Sequence, residues 1–170
     1  MNAVKHGLGP IAAPDARLFI LGSLPGDASL AAQRYYAHPT NQFWRLLGEA
    51  LGEPLAGMDY DRRLERLKAR GIGLWDVVAS ATRSGSLDGA IRRAGLNPIA
   101  RLLAEFPILE AIAFNGAAAA KAGRTLLGEV SGVELIDLPS SSAAYTRSFT
   151  DKAAVWRQLG RFCADGVSEA

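Results

Sequence analysis

Cysteine, histidine and long apolar runs are all scarce in this chain. The single cysteine, Cys163, excludes an internal disulfide and cannot by itself hold an iron-sulfur cluster or a structural zinc. Its plain reading is a small buried hydrophobe on the last helix. Two histidines, His6 and His38, are too few for a His-rich metal site, and no metal or other cofactor is implied. The longest apolar runs, such as Leu18 to Leu21 and Ala111 to Phe114, fall far short of the roughly 20 residues that cross a bilayer, and the N-terminus lacks the apolar region of a signal peptide. A cytoplasmic protein with no membrane partner is expected. Common catalytic signatures are missing as well. The chain has neither a G-x-S-x-G nucleophile elbow nor a G-x-x-x-x-G-K-[ST] phosphate loop, and "GLGPIA" at 7–12 has no strand before it to make a dinucleotide fingerprint. Ser23, His38 and Asp76 could be combined into a triad, but nothing in their spacing selects one.

What is present suits a single domain of residues 1–170 with a core at about 17–162, since 170 residues at 49% hydrophobic and 21% charged can bury one sizeable core. A formal net charge of +2 permits a nucleic-acid partner without requiring one. Four short apolar runs, "RLFILG" (17–22), "GIGLWDVV" (71–78), "ILEAIAFNG" (108–116) and "GVELIDLP" (132–139), are each bounded by Gly or Pro and read as strands. Between and after them, "NQFWRLLGEAL", "YDRRLERLKARG", "LDGAIRRAG", "NPIARLLAEF", "GAAAAKAGRTLL" and "TDKAAVWRQLGRFC" carry helical spacing. Asp88 or Ser86 suits the cap of the helix containing Ile91, Asn97 suits the cap of one opening at Pro98, and Gly71 stands where a helix C-terminal glycine belongs. Strands alternating with helices predict an α/β fold, a three-layer α/β/α sandwich on a parallel sheet.

Ligands of such sheets bind beyond the carboxyl ends of the strands. That rule nominates "GSLPG" (22–26), "DVVASATRSGSLD", "FNG" and "LPSSSAAYT", together with "YYAHPTNQFW" (35–44) in the loop between the first strand and a helix starting near Asn41. In "GSLPG", Gly22 and Gly26 allow a sharp turn and close backbone approach while Pro25 stiffens it; an ordinary turn reads the same way. Phe43 and Trp44 follow helical spacing with Leu46 and Leu47 and suit the core. Tyr35 and Tyr36 either cover the edge of the core or present a ring face to a nucleobase. Asn41 reads equally as a helix cap, and His38 as a residue that orients its loop. Asn115 is either locked in a turn or left to read a ligand edge. Ser140, Ser141 and Ser142 suit phosphate contacts or a serine-rich turn.

Taken together, "LGSLPGDASL", "YYAHPTNQFW", "GLWDVV", "RSGSLDGAI", "FNG" and "LPSSS…K…W" resemble, in order and over about residues 17–157, the uracil-DNA glycosylase superfamily. The resemblance is closest to its hypoxanthine (deoxyinosine) DNA glycosylase branch, and "HPTNQFW" is also similar to the mismatch-specific uracil/thymine glycosylases. It implies a four-stranded parallel α/β/α fold acting on DNA that contains deaminated bases, as a monomer and without metal. Position by position, Gly22, Ser23, Leu24, Pro25 and Gly26 match the first active-site motif beside the flipped base. The mismatch-specific branch has a catalytic Asn at its third position, where this chain has Leu24. The Asn of "HPxNxFW", assigned the catalytic role in the hypoxanthine branch, is Asn41. Tyr36 matches the aromatic that stacks on the base, with His38 and Phe43 beside it, and Asn115 matches the reader of its edge. Pro139, Ser140, Ser141 and Ser142 match the loop that grips the DNA backbone, with Arg147 and Lys152 as phosphate contacts, and Arg83 a further candidate.

The chain departs from the pattern at Leu138 and Ser142, where some members have a His and a Leu wedge, and at Ala143 and Tyr145, where the hypoxanthine branch has Pro and Asn. The expected mechanism is base flipping followed by hydrolysis, with Asn41 positioning the water or the leaving base and no covalent nucleophile. Asp76 and Asp88 are candidate carboxylates whose plainer roles are strand-end hydrogen bonding and helix capping. A catalytically silent lesion- or nucleotide-binding module and a small-molecule hydrolase are the alternatives of other classes.

Overall fold

The computed structural model describes residues 4–82 and 95–165. Arg83, Ser86, Asp88 and the helix expected around Ile91 lie outside the described residues, as does the whole "RSGSLDGAI" stretch. Among the described residues, the strands are β1 (Val4–His6), β2 (Leu18–Gly22), β3 (Ile72–Asp76), β4 (Val78–Thr82), β5 (Gly95–Leu96), β6 (Ala111–Asn115) and β7 (Glu134–Leu138). Four of them pair in parallel in the order β3-β2-β6-β7, and these are the four apolar runs read from the sequence. The α-helices of the same described residues are α1 (Asp27–Ala32), α2 (Phe43–Leu51), α3 (Tyr60–Ala69), α4 (Leu102–Glu105), α5 (Ala117–Leu127) and α6 (Phe149–Trp156).

Helices cover both faces of the sheet, so its central strands are apolar at successive positions rather than alternating. All five residues of β2 are buried. Leu18 and Ile20 join a core with Phe43, Leu46 and Leu47 of α2, Leu67 of α3 and Trp156 of α6. Phe19 and Leu21 point the other way, into a core with Ile112, Phe114, Leu102 of α4, and Ala119 and Ala120 of α5. This is the expected α/β/α sandwich. The edge strand β3 is shielded by residue 11, whose backbone exchanges hydrogen bonds with Leu74 (Ile11 N to Leu74 O, 2.9 Å; Leu74 N to Ile11 O, 2.8 Å). Gly71 follows α3 at φ +75°, as its position predicts, and its N–H returns to Lys68 O at 3.1 Å.

Several local expectations are corrected. A second, antiparallel sheet in the order β1-β4-β5 was not foreseen, since its strands are short and carry no apolar period. Helix α1 occupies part of the segment expected to be loop, and ends at Gln33 in the left-handed region. "NPIARLLAEF" is a 3-10 turn (Ile99–Arg101) followed by the four-residue α4. Asn97 does not cap it, because its Nδ2 donates to Asp76 O at 2.7 Å and so ties the turn to the end of β3. The last helical stretch tightens after α6 into 3-10 geometry over Arg157–Phe162. Cys163 lies just beyond it, buried, and burial pushes its thiol up to about 11.

The sheet leaves no room at Gly73, where an added Cβ would lie 2.5 Å from the Cζ of Phe19 on the neighbouring strand. Gly73→Ala should therefore lower stability by about 1–3 kcal/mol, seen as a reduced urea midpoint with unchanged slope. An unchanged midpoint would show that Phe19 moves aside freely.

Candidate active site

Beyond the carboxyl ends of the parallel strands opens a cavity of about 390 Å³, lined by residues 22–29, 35, 36, 38, 40, 41, 76, 115 and 140–144. That volume is in the range of small-ligand sites. Every loop nominated by the strand-end rule contributes to it.

Tyr36 supplies the flat wall. Its ring stacks on Phe43 with centroids 3.8 Å apart and planes 11° from parallel. Phe43 is in turn fully buried, edge-on to Trp44 (5.0 Å) and Trp156 (5.6 Å). Phe43 therefore does not line the cavity as expected; it backs one face of Tyr36 and leaves the tyrosine as the aromatic wall. The backbone at Tyr36 is left-handed, φ +55°, a conformation costly for a bulky residue and tolerated where its surroundings fix it. Those surroundings are specific. Ser29 Oγ accepts from Ala37 N (3.0 Å), Tyr60 Oη accepts from Tyr35 N (3.0 Å), and Tyr35 Oη donates to Gly9 O (2.7 Å). Tyr35, 2% exposed, thus covers the core edge, and burial followed by the Asp76 charge pushes its phenol far above the usual tyrosine range.

Asn41 sits just ahead of α2, where its Oδ1 accepts from Phe43 N at 2.9 Å. Gln42 holds the cap position itself, one residue later than the cap reading had it; the Asn41 bond to the first turn aims its amide, leaving Nδ2 and one oxygen lone pair toward the cavity. His38 Nδ1 accepts from Thr40 N at 3.2 Å, which leaves the proton of a neutral ring on Nε2.

The serine loop is held from three sides. Asn115 Nδ2 donates to Ser141 Oγ and Asn115 Oδ1 accepts from Ser141 N, both at 2.9 Å. Ser141 O accepts from Gln42 N at 2.9 Å. Lys152 Nζ donates to Gln42 Oε1 (2.9 Å) and Ser142 O (3.1 Å), and Trp156 Nε1 donates to Pro139 O (3.0 Å). Asn115 accordingly lines the cavity with both ends of its amide engaged on Ser141, the locked alternative of the two left open by sequence. Lys152 is 1% exposed, so its ammonium braces the loop from behind rather than reaching a phosphate directly. Arg147 is exposed on the same loop region. Of the departures, Leu24 (7% exposed) lines the cavity, whereas Leu138 (4% exposed) belongs to the core.

Comparison with known proteins fits this geometry. A profile of the uracil DNA glycosylase superfamily matches residues 10–160. The chain belongs to the uracil DNA glycosylase superfamily. A hypoxanthine DNA glycosylase of Methanosarcina acetivorans is 39% identical over 158 residues, covering 93% of this chain and 99% of the relative. The hypoxanthine DNA glycosylase of Methanosarcina barkeri is 39% identical over 154 residues, covering 91% and 96%. A solution NMR structure of a uracil DNA glycosylase candidate from Methanosarcina acetivorans superposes with a TM-score of 0.83 at 39% identity, over 94% of this chain and 98% of that one.

Within this superfamily member, sequence reasoning missed the bracing roles of Gln42, Lys152 and Trp156. A signal was available for the lysine. Lys152, Ala153 and Trp156 share the buried face of α6, and a lysine on that face needs acceptors inside the protein. Burial pushes the Lys152 ammonium below the ordinary lysine value of 10.5. The unfolded chain then keeps that proton over a pH window in which the folded protein has lost it, so stability from this group rises with pH up to that value. The unfolding free energy of the wild type, less that of Lys152→Met, should increase between about pH 7 and about pH 10. A flat or falling difference would refute the buried-ammonium assignment.

Proposed function

We propose that the protein is a monofunctional DNA glycosylase that hydrolyses the N-glycosidic bond of a deaminated base, hypoxanthine above all, and leaves an abasic site. Supporting this are the superfamily membership, the activity for which the two Methanosarcina relatives are named, and above all one observation: a tyrosine ring backed on one face lines a cavity with room for a planar base next to an oriented Asn41. Chemistry on a base in a duplex requires extrusion, which costs least for poorly paired, deaminated bases. Tyr36 stacks on the extruded base. The C1′–N bond then breaks with its electron pair going to the base, water bonds to C1′ and loses a proton, and the base departs protonated. Charge grows on sugar and base together, and fixed dipoles aimed at those charges lower the barrier. Asn41 supplies one such dipole, and residues 22–26 wall the pocket. Pro139, Ser140, Ser141 and Ser142 meet the DNA backbone, with exposed Arg147 nearby. The enzyme acts in the cytoplasm as a monomer and without metal. Leu24, an apolar residue lining the cavity where the mismatch-specific branch has its catalytic Asn, favours one second reading, a silent lesion-binding module.

Incubated with a deoxyinosine duplex in a chelator, the wild type should generate alkali-labile sites, and Asn41→Ala should slow single-turnover cleavage by about 10²–10³. Tight binding to the lesion with intact strands after hot alkali would instead establish the silent module. Tyr36→Ala should weaken lesion binding by about 1–3 kcal/mol, measured by fluorescence anisotropy; unchanged affinity would remove the tyrosine from the stacking role.

A further inference from the structure

One carboxylate in the cavity has no part in the chemistry above. Asp76 ends β3 at the inner wall and is 3% exposed. Its position depends on the absence of a side chain at residue 22, where a Cβ would lie 2.6 Å from Asp76 Oδ1 and 3.0 Å from Tyr36 Oη. Gly22 therefore lets a carboxylate and the stacking ring meet in one corner of the pocket. The backbone around Asp76 is fixed as well: Asn97 Nδ2 donates to Asp76 O (2.7 Å), and Val77 N donates to Gly22 O (2.8 Å). Among the described residues, no lysine or arginine lines the cavity.

We infer that Asp76 is the residue that reads deamination, accepting a hydrogen bond from the ring N–H that deamination creates. This rests on the glycosylase reading and specifies how that site selects its base. In adenine, N1 is a lone pair; in hypoxanthine it is N–H. A carboxylate accepts from the second and repels the first. Asn115 is held by Ser141 at both ends of its amide, and an amide, which keeps a donor as well as an acceptor, separates a ring N–H from a ring lone pair less sharply than a carboxylate does. One carboxylate oxygen suffices for the bond, and the other then faces C2–H of hypoxanthine. In uracil the equivalent N3–H lies between two carbonyl oxygens, so the second carboxylate oxygen meets a like partial charge. Asp76 thereby prefers the deaminated purine to the deaminated pyrimidine.

The near-isosteric Asp76→Asn tests this, since an amide can pair with N–H and carbonyl side by side. Single-turnover excision of deoxyinosine and deoxyuridine, each opposite the same base, should show the inosine-to-uracil rate ratio falling at least tenfold. A merely structural role would slow both substrates alike and leave the ratio unchanged, which would overturn the inference. With the wild type alone, a duplex bearing 1-methyldeoxyinosine, which lacks the N–H, should be bound at least tenfold more weakly than the deoxyinosine duplex. Equal binding would also overturn it. Should the wild type release no base from any duplex, the glycosylase reading fails, and the comparison of deoxyinosine with adenine duplexes in binding, wild type against Asp76→Asn, still decides the role of Asp76.

Discussion

The site depends on the two hydrogen bonds by which Asn115 grips Ser141, because they join the end of a central strand to the loop that closes the cavity. Through Ser141 O the grip passes to the backbone of Gln42, and through Gln42 Oε1 to the ammonium of Lys152. Four segments far apart in sequence are thus registered against one another by groups that are largely buried. Unmade, such bonds would each leave a desolvated donor or acceptor, so the loop has a strong preference for one position. Asn41 immediately precedes Gln42, and its aim is set by the same anchoring.

A second constraint acts on the aromatic wall. Tyr36 needs a left-handed backbone to lie flat on Phe43, and the neighbouring residues hold it there through Ser29 and Tyr60. Phe43 is pinned by the edges of two tryptophans, one on its own helix and one on α6. The aromatic wall is thus held in place by contacts within the protein, which would lower the ordering cost of binding any planar ligand there.

Much of this was legible in the residues. The four parallel strands were plain because strands covered on both faces leave continuous apolar runs, and the strand-end rule then located the cavity. The small antiparallel sheet was not, since β1 and β5 are too short to show a period. Side-chain roles divided along similar lines. The positions of Tyr36 and Asn41 followed from the family pattern. Helical spacing put Phe43 in the core, where it is, whereas the family pattern set it and Lys152 at the site surface, because a motif records proximity to the site without recording which side of it a residue occupies. That Asn115 locks onto Ser141 was hidden for a related reason: whether a polar side chain is engaged by the protein depends on contacts across tens of residues.

A glycosylase of this kind receives a flipped base in its cavity and frees it without breaking the strand. Mass spectrometry of the small molecules released from a deoxyinosine duplex tests this most directly. Free hypoxanthine is expected in amounts equal to the abasic sites formed. Release of the nucleoside or nucleotide, or of nothing at all, would contradict it.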